Sequence, residues 1–258
     1  ELRKKHDAVF LGVGLMNGRD LNIEGRDNDG VIIAVDLLLN YNLGYKVDLG
    51  EKVIVIGGGD VAMDAARTAL RAGHEETTLA DAATSAAEHN ADDEAEAVYE
   101  ALDVARTALR LGARDVKIMA LEDWHELPAT QIEVEEAMEE GIKLYPSTGP
   151  SRIIGEEGNV VGFETKDVAS VFDENGRFNP QFVENSEKIW DCDTIILAIG
   201  QQADLSLIEG ADDVEVTPRG FFKTDKETGQ TTAPDIFAGG DVAHGPRLII
   251  DAVKDGHI

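Results

Sequence analysis

The chain has 258 residues, 43% of them hydrophobic, enough for one large domain or two modest ones around a sizeable core. Its 51 acidic against 23 basic residues leave a formal charge of −28, which argues against nucleic acid and anionic membrane surfaces as partners. A single cysteine, Cys192, excludes an internal disulfide, a C-x-x-C redox pair and an iron–sulfur cluster held by this chain alone. The acid surplus suits a high-salt interior, or else an acidic insert combined with an acidic partner-facing surface. No run approaches the roughly 20 apolar residues of a membrane span, and no signal peptide is visible, so a cytoplasmic setting is expected. The sequence opens with ELRKKHD, without Met, and reads as a piece of something longer.

In chain order, HDAVFLGVG at 6–14 reads as a short buried strand ending at Gly14. It lacks G-x-G-x-x-G spacing, and no good helix follows at once. VIIAVDLLLNYNL at 31–43 reads as a helix. KVIVI at 52–56 is a β-branched apolar run of the kind buried on both faces of a parallel sheet. It meets Gly57, Gly58, Gly59, Asp60, Val61 and Ala62, in which Gly57, Gly59 and Ala62 fit the G-x-G-x-x-G/A turn of a dinucleotide site. Gly57 permits the tight turn, Gly59 lets backbone approach a pyrophosphate, and Ala62 lets the helix pack close to the strand. That helix then offers its unpaired N–H groups to the phosphates.

DAARTALRAG at 64–73 recurs as DVARTALRLG at 103–112, around an acidic, alanine-rich stretch at about 74–102. A dinucleotide unit needs one helix between its first two strands. The duplicate therefore reads as an extra helical excursion that returns at VKIMAL, 116–121. Residues 131–140 read as a helix, and IKLYPS enters a strand. RIIGEEGNVVGFETKDVAS alternates with period two around Glu157-Gly158-Asn159, a hairpin in a small antiparallel layer from about 151 to 190. TIILAIGQQAD is another buried strand, ending at Gly200. The tail gives a short strand, a turn, a buried strand (DIFAGGD) and a helix from about Pro246, inside which the sequence stops.

The order VFLGVG, GGGDVAMDAARTALR, TIILAIGQQAD, PDIFAGGDVAHGPRLIIDAVKDGH resembles the small (beta) subunit of glutamate synthase and its relatives among the two-dinucleotide flavoprotein oxidoreductases. The resemblance covers nearly the whole chain except about 74–102, and ELPA at 126–129 points to the glutamate synthase branch. It implies an α/β fold in which a Rossmann-like three-layer NAD(P)H-binding domain, 51–200, is inserted in a partial FAD-binding domain made of 1–50 and 201–258. The implied cofactors are FAD and NAD, with NADP as the other choice. A hydride would pass from NAD(P)H to FAD, and electrons would leave to a partner subunit or to iron–sulfur clusters outside this chain. Implied cofactor contacts are Gly14 and Gly200 at the ends of their strands and Gly240 and Asp241 of IFAGGD, with Asp241 toward the ribityl chain. Arg247 and Leu248 follow, where the next helix faces the pyrimidine edge of the flavin. Hydride transfer asks for positioning, so no acid–base residue and no metal site are expected.

Two departures matter. The family's FAD domain opens with its own G-x-G-x-x-G turn, and its branch carries cysteine-rich cluster segments; this sequence has neither. The branch commonly has an arginine pair at the end of the second nucleotide strand, which suits the 2′-phosphate of NADPH. Here IMALEDWHELPA places Glu122 and Asp123 there. A carboxylate at that point accepts from the ribose hydroxyls and repels a 2′-phosphate, which favours NADH over NADPH. As ordinary solvated acids in an acidic protein the two would carry no preference.

Trp124 either covers the adenine or fills a gap. His125 reads as surface, and His244 lies in the flavin motif, where backbone groups usually make the contacts. Arg67 and Arg106 read as helix-surface ion-pair formers, Asp64 as a local cap and Cys192 as packing. A second reading is a nucleotide-binding or assembly module without turnover; the missing flavin turn favours it and the retained IFAGGD weighs against it. A third, an unrelated Rossmann dehydrogenase, asks for Tyr-x-x-x-Lys, and Tyr41 and Tyr99 lack that lysine.

Overall fold

A computed structural model describes residues 1–43, 45, 49–57, 113, 115–127, 131–139 and 141–257. The glycine turn beyond Gly57, the duplicated segments, the 74–102 stretch, Asp64, Arg67 and Arg106 lie outside the described residues. The described strands include β1 (Val9–Leu11), β2 (Val31–Ile33), β3 (Lys52–Ile56), β4 (Asp115–Met119), β5 (Lys143–Tyr145), β6 (Thr148–Glu156), β7 (Asn159–Phe172), β8 (Phe178–Phe182), β9 (Lys188–Asp191), β10 (Thr194–Leu197) and β11 (Ile236–Ala238). The described helices include α1 (Ala34–Asn42), α2 (Gln131–Glu139), α3 (Asp241–His244) and α4 (Ile249–Asp255).

Two compact units divide the chain: Gly18–Gly200, and Glu1–Asn17 together with Gln201–Ile258. In this division the larger unit begins at Gly18. The cause is β2, which pairs in parallel with β10 inside the larger unit, Val31 opposite Ile195 and Ile33 opposite Leu197. The same pairing corrects the helix expected over 31–43. Its first three residues are strand, and the helix begins at Ala34.

The larger unit is built on a parallel sheet in the order β2-β10-β3-β4-β5. Alternation along these strands sorts their side chains into two cores. Val53, Val55, Val116, Ile118 and Ile196 meet Ala34, Leu37 and Leu38 of α1 and Ala137 of α2 on one face. The i, i+3, i+4 spacing in α1 makes that apolar stripe. Ile54, Ile56, Met119, Ile195 and Leu197 meet Ile153, Val160, Phe163 and Cys192 on the other face. Helices, parallel sheet and antiparallel strands are therefore the three expected layers.

The antiparallel layer runs β9-β7-β6, with β8 also pairing on β7. Its first hairpin turns at Glu157 (φ 51°) and Gly158 (φ 85°), both left-handed, as a two-residue type I′ turn needs. The Trp190 indole N–H donates to Thr165 Oγ1 at 2.8 Å and its ring stands edge-on to Tyr145, 4.6 Å between centroids. Cys192 is buried, and burial, aided by the neighbouring Asp193 charge, pushes its thiol pKa up to about 12. It is a packing residue, inert as a nucleophile at neutral pH.

In the smaller unit β1 and β11 pair in parallel, Val9 opposite Ile236 and Leu11 opposite Ala238. Phe222, Ala233, Ile236, Ala238 and Val242 form its core. The expected helix near Pro246 begins at Ile249 instead; Gly245 and Pro246 bend away from the short α3, and Leu248 is extended before α4.

Candidate functional site

The candidate residues fall into two places, one in each unit. In the larger unit the candidates lie at the carboxyl ends of adjacent parallel strands. In open α/β sheets ligands bind outside those ends, where the crossover direction reverses.

Gly57 leaves β3 at φ +94°, and its N–H donates to the Met119 carbonyl at the end of β4, 3.2 Å. A Cβ at Gly57 would meet Ile199 Cγ2 at 2.7 Å and the Ala198 carbonyl oxygen at 2.8 Å. Both the turn and the close approach of the β10 exit therefore require glycine. Gly200, also at φ +94°, accepts from the Arg19 N–H at 2.8 Å. Gly57 and Gly200 thus leave neighbouring strands on one side of the sheet.

Glu122 stands just past β4. Its carbonyl accepts from the Ser147 N–H at 2.7 Å, which pins its backbone to the exit of β5. Half-burial raises its carboxyl pKa above the ordinary value, with Glu126 adding to the rise and its own backbone amide opposing it. Asp123 is committed elsewhere: its Oδ1 accepts from the N–H groups of His125 (2.7 Å) and Glu126 (3.0 Å). This is an Asx-type cap on the turn. Of the acidic pair, only Asp123 caps the amides of this turn. Trp124 is half exposed on the same turn.

In the smaller unit a cleft of about 400 Å³ opens between the ends of β1 and β11 and helix α4. Gly14, Gly240, Asp241 and Arg247 line it, together with Phe10 and Gly239. Leu248, the remaining residue expected here, does not line it. Gly14 and Gly240 have φ of +65° and +70°. At Gly239 a Cβ would lie 2.7 Å from Asp255 Cβ and 2.9 Å from Phe10 Cζ. Burial raises the Asp241 carboxyl pKa, against the Arg247 backbone amide and charge that lower it. The Arg247 guanidinium reaches Asp255 Oδ2 at 2.5 Å through Nη2, while its Nε is buried without a partner. His244 Nε2 stands 3.5 Å from the same carboxylate oxygen. Burial, with help from Arg247, lowers the His244 pKa, so the ring stays neutral to below its usual range.

These residues fit one end of a flavin. A bare glycine wall admits a flat ring, Asp241 can accept from a ribityl hydroxyl, and Arg247 brings positive charge. The volume lies at the low end of the roughly 300–1,000 Å³ of ligand pockets, so the residues suit the flavin end and not a whole dinucleotide. Asp255, Phe10 and Gly239 escaped the sequence reading. Gly239 is one step from a recognised motif, but nothing in the pattern marks Asp255, 14 residues beyond Asp241.

A family model described as pyridine nucleotide-disulphide oxidoreductase matches residues 1–102 and 99–256. The chain belongs to this family. Among curated relatives it is 32% identical over 261 residues to the NADP(+)-dependent formate dehydrogenase subunit beta of Moorella thermoacetica, covering 100% of this chain and 31% of that protein. It is 29% identical over 270 residues to the glutamate synthase [NADPH] small chain of Azospirillum brasilense, covering 99% and 48%. It is 30% identical over 282 residues to the NADPH-Fe(3+) oxidoreductase subunit beta of Geobacter sulfurreducens, covering 100% and 36%. The chain thus spans 31% to 48% of the length of these relatives. The solved structure of Mycobacterium tuberculosis FprA in complex with NADPH superposes with a TM-score of 0.66 at 18% identity, over 98% of this chain and 62% of that one. The thioredoxin reductase of T. acidophilum gives 0.59 at 18%, over 96% and 62%. At that identity the likeness is one of fold. The resemblance to the glutamate synthase small chain, the α/β fold and the membership of an FAD- and NAD(P)-linked oxidoreductase family all stand. Among the described residues no helix is long and apolar enough to cross a membrane.

Proposed function

We propose that the chain is the pyridine-nucleotide and flavin module of a larger redox enzyme, taking hydride from NADH in preference to NADPH. Gly57 to Ala62 and Gly200 bind the nucleotide in the larger unit, with Glu122 accepting from the adenosine ribose. Gly14, Gly240, Asp241, Arg247 and Leu248 serve FAD in the smaller one. The observation that carries the nucleotide choice is Glu122, a half-buried carboxylate pinned at the end of β4 where a 2′-phosphate would otherwise sit. The relatives named above are NADP(H)-linked by name, so the NADH preference rests on Glu122 alone. A bound flavin supplies a two-electron acceptor. The chain's own residues bind and orient; no acid or base is called on. As beta subunits or small chains, those relatives also support a partner, outside this chain, that takes the electrons onward.

The test is anaerobic. The chain is mixed with FAD and a stoichiometric amount of NADH or NADPH, and the loss of oxidised-flavin absorbance is followed. Reduction faster than in the chain's absence, and faster with NADH, is expected. A rate equal to that of free FAD with either nucleotide overturns the hydride-transfer reading and leaves an assembly module.

A further inference from the structure

We propose that Asp255 is a positioning residue of the flavin cleft, one carboxylate oxygen holding the Gly240 amide and the Arg247 guanidinium in place together. The proposal rests on the flavin reading of that cleft. Asp255 is the last residue of α4, and its side chain is 12% exposed. Its Oδ2 accepts from the Gly240 N–H at 2.8 Å and from Arg247 Nη2 at 2.5 Å. A carboxylate at a helix C-terminus faces the negative end of the helix dipole and is unfavourable there. Desolvation adds to that cost. A group kept against both terms has a specific task.

What it holds explains the task. Gly240 adopts φ 70°, ψ −158°, a backbone region open to glycine alone, and caps α3 without any side chain of its own. Asp255 supplies the partner for that amide, and its Cβ fills the space beside Gly239. Two glycines of the cleft wall are thereby set from the helix across the cleft. Arg247 is held by one nitrogen only, with Nε buried and unspent, so its direction depends on this carboxylate. Asp255 also offsets part of the Arg247 charge, and so sets how much positive potential the cleft offers to a reduced flavin.

The test uses the full chain and riboflavin, which carries the ring and ribityl chain without phosphates. Binding is read by fluorescence quenching for wild type, Asp255→Asn, Arg247→Gln and the double variant. The expected result is at least fivefold weaker binding for Asp255→Asn, and less than twofold further loss when it is added to Arg247→Gln. The midpoint potential of riboflavin bound to Asp255→Asn is expected to shift upward relative to wild type, because the Arg247 charge is no longer offset. A merely loosened turn leaves the potential where it was. Wild-type binding with an unchanged Asp255→Asn affinity, or fully independent effects in the double variant, overturns the proposal while leaving the flavin reading intact. No binding by folded wild type overturns both. If Asp255→Asn does not fold, Asp255→Glu carries the test: the charge stays but moves by one methylene, and undiminished binding overturns the proposal.

Discussion

Glu122 and Asp123 are adjacent acids with opposite jobs. Asp123 spends its carboxylate on two backbone amides. Asp123→Ala should therefore cost about 1 kcal/mol, the usual value of a lost side-chain cap, and leave the NADH-to-NADPH preference unchanged. Thermal melts paired with nucleotide titrations check both halves. Glu122 does the reverse. Burial raises its pKa in the folded state, so the stability linked to it is fully present below the unfolded value of 4.5 and is lost as pH rises through the folded value. At neutral pH the charged form is a burden on the fold. Glu122→Gln should raise Tm at pH 7, and the gain should vanish near pH 4. An equal gain at both pH values contradicts the assignment. Gly57→Ala should destabilise by about 1–3 kcal/mol, since φ +94° and two contacts under 3 Å both refuse a methyl group.

At the scale of elements, the strands were legible where sequence and burial coincide. KVIVI and TIIL are apolar at every central position because a parallel strand between two layers has no wet face, and Val53 to Val55 and Ile195 to Ile196 are fully buried. The 31–43 run misled for the same reason. VII is as apolar as the helix it precedes, and only its pairing with β10 makes it strand. Gly14 and IFAGGD were readable as motifs, whereas the cleft they form with α4 depends on that helix folding back, which no spacing announces. The hairpin turn invites a direct check. Glu157 is a non-glycine residue at φ 51° in a type I′ turn, where asparagine is favoured. Glu157→Asn should stabilise the larger unit by up to about 1 kcal/mol, measured by denaturant midpoint. On the same layer, Phe163 is fully buried against the parallel sheet, and Phe163→Ala should cost about 3–5 kcal/mol.

For the whole molecule the dominant quantity is the charge of −28. Described ion pairs such as Arg3 with Asp213 and Asp235 are largely exposed, and such pairs contribute about 0–1 kcal/mol each. With acids in more than twofold excess over bases, self-repulsion outweighs them. Raising NaCl from about 0.1 M to about 1 M, which shortens the screening length from about 10 Å to about 3 Å, should therefore raise Tm. A fall would mean that the ion pairs win. The two-unit division follows from the chain leaving one unit after Asn17 and returning after Gly200. Composition carries no sign of that interruption; the family motifs do.

The most direct measurement is a paired titration of the full chain with NADH and with NADPH, following quenching of Trp124 and energy transfer to the reduced nicotinamide, with Trp124→Phe as the control for Trp190. Tighter binding of NADH, lost in Glu122→Ala and turned toward NADPH in Glu122→Arg, is the result expected. Equal or tighter binding of NADPH by the wild-type chain, unmoved by either substitution, would contradict it.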